Sequence, residues 1–98
     1  MAERDIDFDW DPNKAERNFK RHAVTFEEAG SAFDDNLALI FEDETHSFDE
    51  PRELLIGHSS RNRLLLVVFT ERRPSTIRII SARLANGKER KKYEQEKR

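Results

Sequence analysis

The chain has 98 residues, enough for one domain with one hydrophobic core and too few for a second. It contains no cysteine, which excludes a disulfide framework, a thiolate zinc site and a cysteine nucleophile. The formal net charge of −2 hides two unlike halves, because residues 1–58 contain 16 acidic and 6 basic residues whereas residues 59–98 contain 4 and 12. This asymmetry predicts either a polyanion-binding face balanced by an acidic one, or halves that interleave in the fold and mix their charges.

Several classes of protein are disfavoured by motifs that the sequence lacks. The longest apolar run, Leu64–Phe69, is far shorter than the roughly 20 residues that span a bilayer. Residues Met1–Asp5 have neither the basic nor the apolar region of a signal peptide. GxGxxG, P-loop and HExxH motifs are also missing from the sequence. We therefore expect a cytoplasmic protein without a membrane span and without a cofactor.

The first third of the chain predicts a strand followed by two helices. Ile6, Phe8 and Trp10 alternate with aspartates, as in a half-buried strand. Asp11 followed by Pro12 is typical of a helix start, and this helix should run to about residue 22.

A second helix is predicted over residues 26–34 from its start signal. Thr25 and Glu28 have the spacing of a capping box, in which the threonine oxygen and the glutamate carboxylate each accept from an open amide. Phe26, Ala29 and Phe33 then recur at spacings of three and four, which directs them inward.

Beyond residue 36 the apolar period changes from that of a helix to that of strands. We predict four short strands, separated by turns at 43–51, 57–62 and 72–75: Leu37–Phe41, Glu53–Ile56, Leu64–Thr70 and Thr76–Ser81. Connections this short favour an antiparallel meander, and the apolar third strand should be central. Asn86 opens a last helix, about 87–97, which has only Tyr93 as a large apolar residue and is expected to dock loosely or to wait for a partner. The order β-α-α-β-β-β-β-α predicts one α+β domain, with helices packed on one face of a curved antiparallel sheet.

Metal sites are not predicted. Asp5, Asp7 and Asp9 match half of an EF-hand loop, but Trp10 occupies the position that requires glycine, so the solvent face of a strand explains them better. His46 and Glu50 could share a metal, although an acid-rich turn is the simpler interpretation.

The basic residues of the second half are the most informative group. They comprise Arg61, Arg63, Arg72, Arg73, Arg78, Arg83, Lys88, Arg90, Lys91 and Lys92. Most are explained by solubility, but Arg78 interrupts an apolar strand, where a charge is costly unless it is paired or functional. Ser81 and Arg83 have the opposite parity from Arg78, and reach its face only if the strand twists or bulges.

Arginines on a sheet suit RNA cleavage without a metal. The ribose 2′-OH can attack its own adjacent phosphate, given a proton acceptor, cations for the phosphate and a proton for the leaving oxygen. Arg78 and Arg83 suit the cationic role, and Glu71 or His22 could accept the proton. The alternatives are a cross-strand ion pair for Glu71 and a stabilising charge at a helix C-terminus for His22.

The ordered motifs of residues 6–94 resemble those of the BrnT family of type II toxins. The segments that carry the resemblance are Phe8-x-Trp10-Asp11-Pro12-x-Lys14-Ala15, Asn18-x-x-Arg21-His22, Phe26–Ala29, Glu50-x-Arg52 before Gly57, Val67–Glu71, Ile77–Arg83 and Glu89-Arg90-x-x-Tyr93. One departure is Ala23, because the family usually has glycine after the histidine. If that position has a positive φ, alanine there costs about 1 kcal/mol.

The resemblance implies a RelE-like fold and a growth-arresting endoribonuclease that needs no metal. It implies a BrnA-type antitoxin with a ribbon-helix-helix region, and contact with operator DNA only through the antitoxin complex. The site residues carried over from matching motifs are His22, Arg52, Glu71, Arg78, Ser81, Arg83 and Tyr93, and Arg61 and Arg63 are expected to steer the RNA together with Arg52. Two alternatives remain open: a catalytically inactive co-repressor that binds the antitoxin, and a non-specific nucleic-acid-binding domain.

Overall fold

The computed structural model describes residues 6–43, 50–73 and 75–96, so the candidate ligand His46 lies outside the described residues. The chain forms β1 (Asp7–Asp9), α1 (Pro12–His22), α2 (Phe26–Ser31), a 3-10 turn (Ala32–Asp34), β2 (Leu39–Glu42), β3 (Glu53–His58), β4 (Leu64–Arg73), β5 (Thr76–Leu84) and α3 (Gly87–Glu96). This is the predicted order of elements, with β3, β4 and β5 longer than expected.

The five strands form one sheet in the order β1-β5-β4-β3-β2. Strands β2 to β5 make the predicted antiparallel meander. The expectation of a wholly antiparallel sheet is wrong for β1, which pairs in parallel with β5 and makes the sheet mixed. More than 60 residues separate these two strands along the chain, long enough for the crossover that parallel strands require.

The two faces of the sheet are covered by different helices. Alternate residues of β4, Leu65, Val67 and Phe69, pack in the core that contains Phe26 and Ala29 of α2. Leu64 and Leu66 point the other way, into a second core with Tyr93 of α3. Helices α1 and α2 therefore lie on one side as predicted, whereas α3 packs on the opposite side, which we call the α3 face.

The helix ends follow the start and stop signals of the sequence. Asp11 caps α1 by accepting from the backbone N–H of Asn13 at 2.9 Å. Ala23 ends α1 with φ 59° and ψ 34°, which confirms that this alanine occupies a left-handed position that favours glycine. Thr25 caps α2 as predicted, through the backbone N–H of Glu28 at 3.0 Å. The Glu28 carboxylate does not close the capping box, because it is bonded to Ser59 and Arg63 instead.

Asn18 attaches α1 to the edge of β5 beyond the short strand β1. Its side-chain amide donates to the Ala82 carbonyl at 2.8 Å and to the Val24 carbonyl at 3.1 Å. Its side-chain oxygen accepts from the Ala82 backbone N–H at 3.1 Å. The buried side chain thus satisfies both backbone groups of Ala82, as a neighbouring strand would.

Replacement of this amide tests whether it holds α1 against the sheet. We expect Asn18→Ala to lower the free energy of unfolding by about 2 kcal/mol, because it leaves buried backbone groups without partners. Urea denaturation followed by circular dichroism measures the change. The matched control is Arg17→Ala at an exposed position of the same helix, which should change stability by less than about 0.5 kcal/mol. Equal effects of the two substitutions would contradict this role.

Candidate functional site

A bulge in β5 brings three predicted site residues onto one face of the sheet. Phe69 pairs with Ile79, but the preceding residue, Val68, pairs with Ser81, so Ile80 is an extra residue. The extra residue reverses the alternation, and Ser81 and Arg83 therefore share the face of Arg78. This is the α3 face, since their partners on β4 alternate with the residues of the α1–α2 core.

Arg78 lies on the α3 face near the start of β5, five residues before Arg83. Asp9 is opposite it on β1, and Arg78 Nη1 lies 3.5 Å from Asp9 Oδ1. This separation exceeds that of an ordinary charge-assisted hydrogen bond, and both side chains are substantially exposed. The guanidinium of Arg78, which we expected to be either paired or functional, is thus only loosely paired and is partly exposed to solvent.

Arg83 is fixed by a two-pronged ion pair with the first turn of α3. Its Nη1 donates to Glu89 Oε1 at 2.9 Å and its Nη2 to Glu89 Oε2 at 2.8 Å. Glu89 also accepts from the Asn86 backbone N–H and donates its own to Asn86 Oδ1, completing a capping box. Burial opposes ionisation of Glu89, but the bond to Arg83 and that to Asn86 outweigh it and lower its pKa.

One edge of the Arg83 guanidinium remains available. Nη1 also donates to the Leu84 carbonyl at 3.1 Å, so three of its five N–H groups have acceptors. Within the described ranges, the remaining Nε–H and Nη2–H groups have no hydrogen-bond acceptor. Two parallel N–H groups on one edge match two oxygens of a phosphate.

Glu71 is not brought together with Arg78. It pairs with Ile77 on β5 and lines a cavity of about 350 Å³ with Phe33, Phe69 and Ile77, on the side of α1 and α2. Glu53 lines the same cavity, and its pKa is raised by burial and by the negative charges of Glu71 and Glu42. Glu71, one of the two expected proton acceptors, and the expected cation Arg78 therefore lie on opposite faces of the sheet.

His22 lies nearer to the end of β5 that carries Arg83. It is one helical turn beyond Asn18 and on the same side of α1, and Asn18 is bonded to Ala82 immediately before Arg83. The side chain is half-buried. Of the two predicted proton acceptors, His22 is thus the one positioned beside this strand end.

Arg63 belongs to the internal framework of the protein. Its Nε donates to Glu28 Oε2 at 2.9 Å, its Nη2 donates to Glu28 Oε1, and its Nη2 also donates to the Ala23 carbonyl at 3.0 Å. Ser59 donates its hydroxyl to the same carboxylate at 2.7 Å. These bonds, with the Arg63 charge, lower the pKa of the buried Glu28 despite its burial. The expected RNA-steering role of Arg63 therefore conflicts with a guanidinium occupied by a buried acid.

The other two residues expected to steer RNA lie at the two ends of the β3 region. Arg61 is exposed in the turn between β3 and β4, where its backbone N–H is bonded to Ser59. Arg52 is half-buried immediately before β3.

Tyr93 forms a polar cluster with two residues that the sequence analysis missed, Asp35 and His58. The Tyr93 hydroxyl donates to Asp35 Oδ2 at 2.7 Å and lies 3.2 Å from His58 Nδ1. Burial and the bond to Asp35 raise the pKa of Tyr93 to about 12. The tyrosine is 3% exposed, so its hydroxyl holds α3 in place and does not face solvent. No sequence signal links these positions, because 58 residues separate Asp35 from Tyr93.

Neither a metal cluster nor a membrane helix occurs in the described part of the chain. Residues 6–43, 50–73 and 75–96 contain no group of three or more side chains that could hold a metal ion. No helix among them is long and apolar enough to cross a membrane.

Comparison with known proteins identifies the family to which this fold belongs. Residues 10–89 match the family described as "Ribonuclease toxin, BrnT, of type II toxin-antitoxin system". The chain belongs to the BrnT family. The fold is similar to that of the ribonuclease toxin BrnT from Brucella abortus, with a TM-score of 0.64 and 20% identity over 83% of this chain and 97% of that one. The search of curated proteins gave no match.

Membership of the BrnT family implies an RNA substrate and an antitoxin partner, as the resemblance of the motifs had predicted. From sequence, Ser81 and Arg83 had the wrong parity to share the face of Arg78. The bulge at Ile80 places all three on one face of the sheet.

The Glu28–Arg63 pair predicts a pH dependence of stability. Because the pKa of Glu28 is lower in the folded protein than its ordinary value of 4.5, the pair stabilises the fold above that pH. The contribution is lost as the pH falls through the lowered pKa. Arg63→Ala removes the cation that lowers the pKa of Glu28, whereas burial, which raises that pKa, remains. We therefore expect the variant to have a lower melting temperature at pH 7 and to lose less further stability on acidification. Thermal unfolding between pH 7 and pH 3 measures both, and parallel pH profiles for the two proteins would contradict the assignment.

The Tyr93 cluster predicts a structural effect without a catalytic one. Tyr93→Phe should lower the free energy of unfolding by about 1–2 kcal/mol, because Asp35 and His58 each lose a buried partner. The turnover number for RNA cleavage should stay unchanged under conditions where the variant is folded. Glu94→Ala, at an exposed position of α3, is the matched control. A stable Tyr93→Phe variant with abolished cleavage would instead place the hydroxyl in the chemistry.

Proposed function

We propose that this BrnT-family protein is an endoribonuclease that cleaves RNA without a metal, by attack of the 2′-OH on the adjacent phosphate. The observation that supports this most strongly is the face shared by Arg78, Ser81 and Arg83, all half-buried, which the bulge at Ile80 creates. The reaction forms a bond between the 2′-oxygen and phosphorus and breaks the bond to the 5′-oxygen. It leaves a 2′,3′-cyclic phosphate and a 5′-hydroxyl.

In this mechanism Arg83 binds the scissile phosphate through its open Nε–Nη2 edge. The edge held by Glu89 fixes the guanidinium in place, so little reorganisation is needed as charge develops on the phosphate oxygens. Arg78 lies about 13 Å away along β5, estimated from the rise of a strand, and binds a neighbouring phosphate. Ser81, between them, donates its hydroxyl to the backbone of the RNA.

The proton of the 2′-OH passes to His22 in this proposal. A neutral imidazole offers a lone pair for that proton and can return it to the leaving 5′-oxygen, which balances the reaction. Glu71 pairs with Ile77, six residues before Arg83 on β5, and this distance from Arg83 argues against Glu71 as the acceptor. The occupied hydroxyl of Tyr93 argues likewise against a direct catalytic role for Tyr93.

We further propose that a BrnA-type antitoxin with a ribbon-helix-helix region neutralises the protein in the cytoplasm. Free toxin would cleave RNA and arrest growth, and the complex would contact operator DNA through the antitoxin. This proposal extends the family description, which specifies a type II toxin–antitoxin system.

Substitution of the two arginines tests the function. Arg78→Ala and Arg83→Lys should each lower the rate of RNA cleavage by about 100-fold, since each removes a donor to the phosphate while leaving the core intact. Cleavage is measured on RNA in the presence of EDTA, and growth is followed after induction without the antitoxin. Both variants should still bind the antitoxin in a pull-down assay.

Arg72→Ala is the matched control, because Arg72 is an exposed arginine paired with Glu50 at 3.3 Å. It should cleave RNA and arrest growth like the unmodified protein. Full toxicity of Arg78→Ala would contradict the assignment. Antitoxin binding by an unmodified protein that cleaves no RNA would instead favour the co-repressor function.

A further inference from the structure

A groove with an apolar floor runs between α3 and the strands of the α3 face. Its volume is about 400 Å³, within the range of small-ligand pockets. The floor is formed by Phe41 of β2, Leu54 and Ile56 of β3, and Leu66 of β4. The strand register places all four on this face, since Phe41 pairs with Leu54 and Ile56 pairs with Leu66.

The wall of the groove is basic. Lys88, Lys91 and Lys92 of α3 line it, together with Gln95 and Glu89. The carboxylate of Glu89 is already paired with Arg83, so the ammonium groups determine the sign of the charge. Lys92 Nζ lies 5.2 Å from the centre of the Phe41 ring. Because Lys92 is exposed and lies over the Phe41 ring, one face of the ring is directed toward the groove.

The floor leads directly to the residues proposed to bind phosphate. Across the sheet, Leu54 pairs with Val68, which pairs with Ser81, and Ile56 pairs with Leu66, which pairs with Arg83. Each row spans two strand spacings, or about 10 Å. That distance is within the reach of the nucleotides on either side of a bound phosphate.

We propose that this groove binds an unstacked base of single-stranded RNA, next to the phosphate held by Arg83. The identity of the ligand rests on the proposed ribonuclease function. A base presents a flat apolar surface to Phe41 and the aliphatic floor, while its flanking phosphates contact the lysines of α3. Lys92 moves from the Phe41 ring to a phosphate as the base enters.

RNA is favoured over an acidic protein segment because the cations continue beyond the groove. Arg83 and Arg78 continue the row of cationic side chains along β5, where Arg83 keeps one edge beside its pair with Glu89 and Arg78 is loosely paired with Asp9. A helix anchored by its apolar side chains would leave this extension unused, whereas a strand of RNA carries a phosphate at every nucleotide.

A non-cleavable oligonucleotide separates base binding from cleavage. The probe is a fluorescein-labelled 2′-O-methyl oligoribonucleotide, which lacks the attacking hydroxyl, and its affinity is measured by fluorescence anisotropy. A single abasic nucleotide is moved along it. We expect one position at which the missing base weakens binding to the full-length protein by about 5- to 150-fold. This comparison uses the unmodified protein, so it does not depend on the folding of a variant.

The variant Phe41→Ala then identifies the groove. It should weaken binding of the intact oligonucleotide by a similar factor and leave binding of the sensitive abasic one unchanged. Ile40→Ala is the matched control, because Ile40 precedes Phe41 on β2 but is exposed on the opposite face. It should leave both affinities unchanged.

Three results would overturn the inference. The first is an affinity that no abasic position changes. The second is an equal loss for both oligonucleotides in Phe41→Ala. The third is a Phe41→Ala variant that binds RNA normally and no longer binds the antitoxin, which would assign the groove to a protein.

Cleavage of unmodified RNA is measured separately. Base-dependent binding without cleavage would contradict the proposed function alone, and cleavage without base dependence would contradict this inference alone.

Discussion

The α3 face depends on the extra residue that β5 carries at Ile80. A regular strand would direct Ser81 and Arg83 toward α1 and α2, into the core that contains Val67 and Ala82. A guanidinium without a partner is too costly to bury there. The bulge removes this conflict, because it lets Ile77, Ile79 and Ala82 all pack in that core while the polar residues between them face α3. In the sequence, the bulge corresponds to the change in spacing between these core residues, from two (Ile77 to Ile79) to three (Ile79 to Ala82).

The ion pairs explain how the unlike charges of the two halves are arranged. Glu28 and Arg63 join the halves inside the fold, and Asp9 and Arg78 join them across the sheet. Interleaving thus neutralises part of the asymmetry. The remainder separates by face, because Glu53 and Glu71 line a cavity on the side of α1 and α2, whereas the lysines of α3 line the groove opposite. Interleaving therefore accounts for the paired charges, whereas the glutamates and lysines that line the two pockets are separated by the sheet.

Most of the features that were predicted correctly from the sequence depend on residues that are close together in the chain. The caps at Asp11 and Thr25, the left-handed Ala23 and the antiparallel meander each depend on residues close together in the chain. The contacts that were missed join distant positions, such as Glu28 to Arg63 and Tyr93 to Asp35. A capping-box glutamate has the same local spacing whether its carboxylate turns back to the helix or reaches an arginine 35 residues away. Parallel pairing of β1 with β5 was missed for the same reason, since only the closed fold brings these strands together.

The two edges of Arg83 link the stability of α3 to the proposed chemistry. Glu89 binds the end of the guanidinium and also caps α3, so the contact that orients the arginine also fixes the first turn of the helix. That turn begins the basic wall of the groove. A phosphate bound on the free Nε–Nη2 edge would add to this arrangement without displacing Glu89. The planar, forked guanidinium permits both contacts at once, whereas a lysine ammonium has no second edge of fixed geometry. An arginine at this position therefore suits both the observed anchoring of the helix and the proposed binding of phosphate.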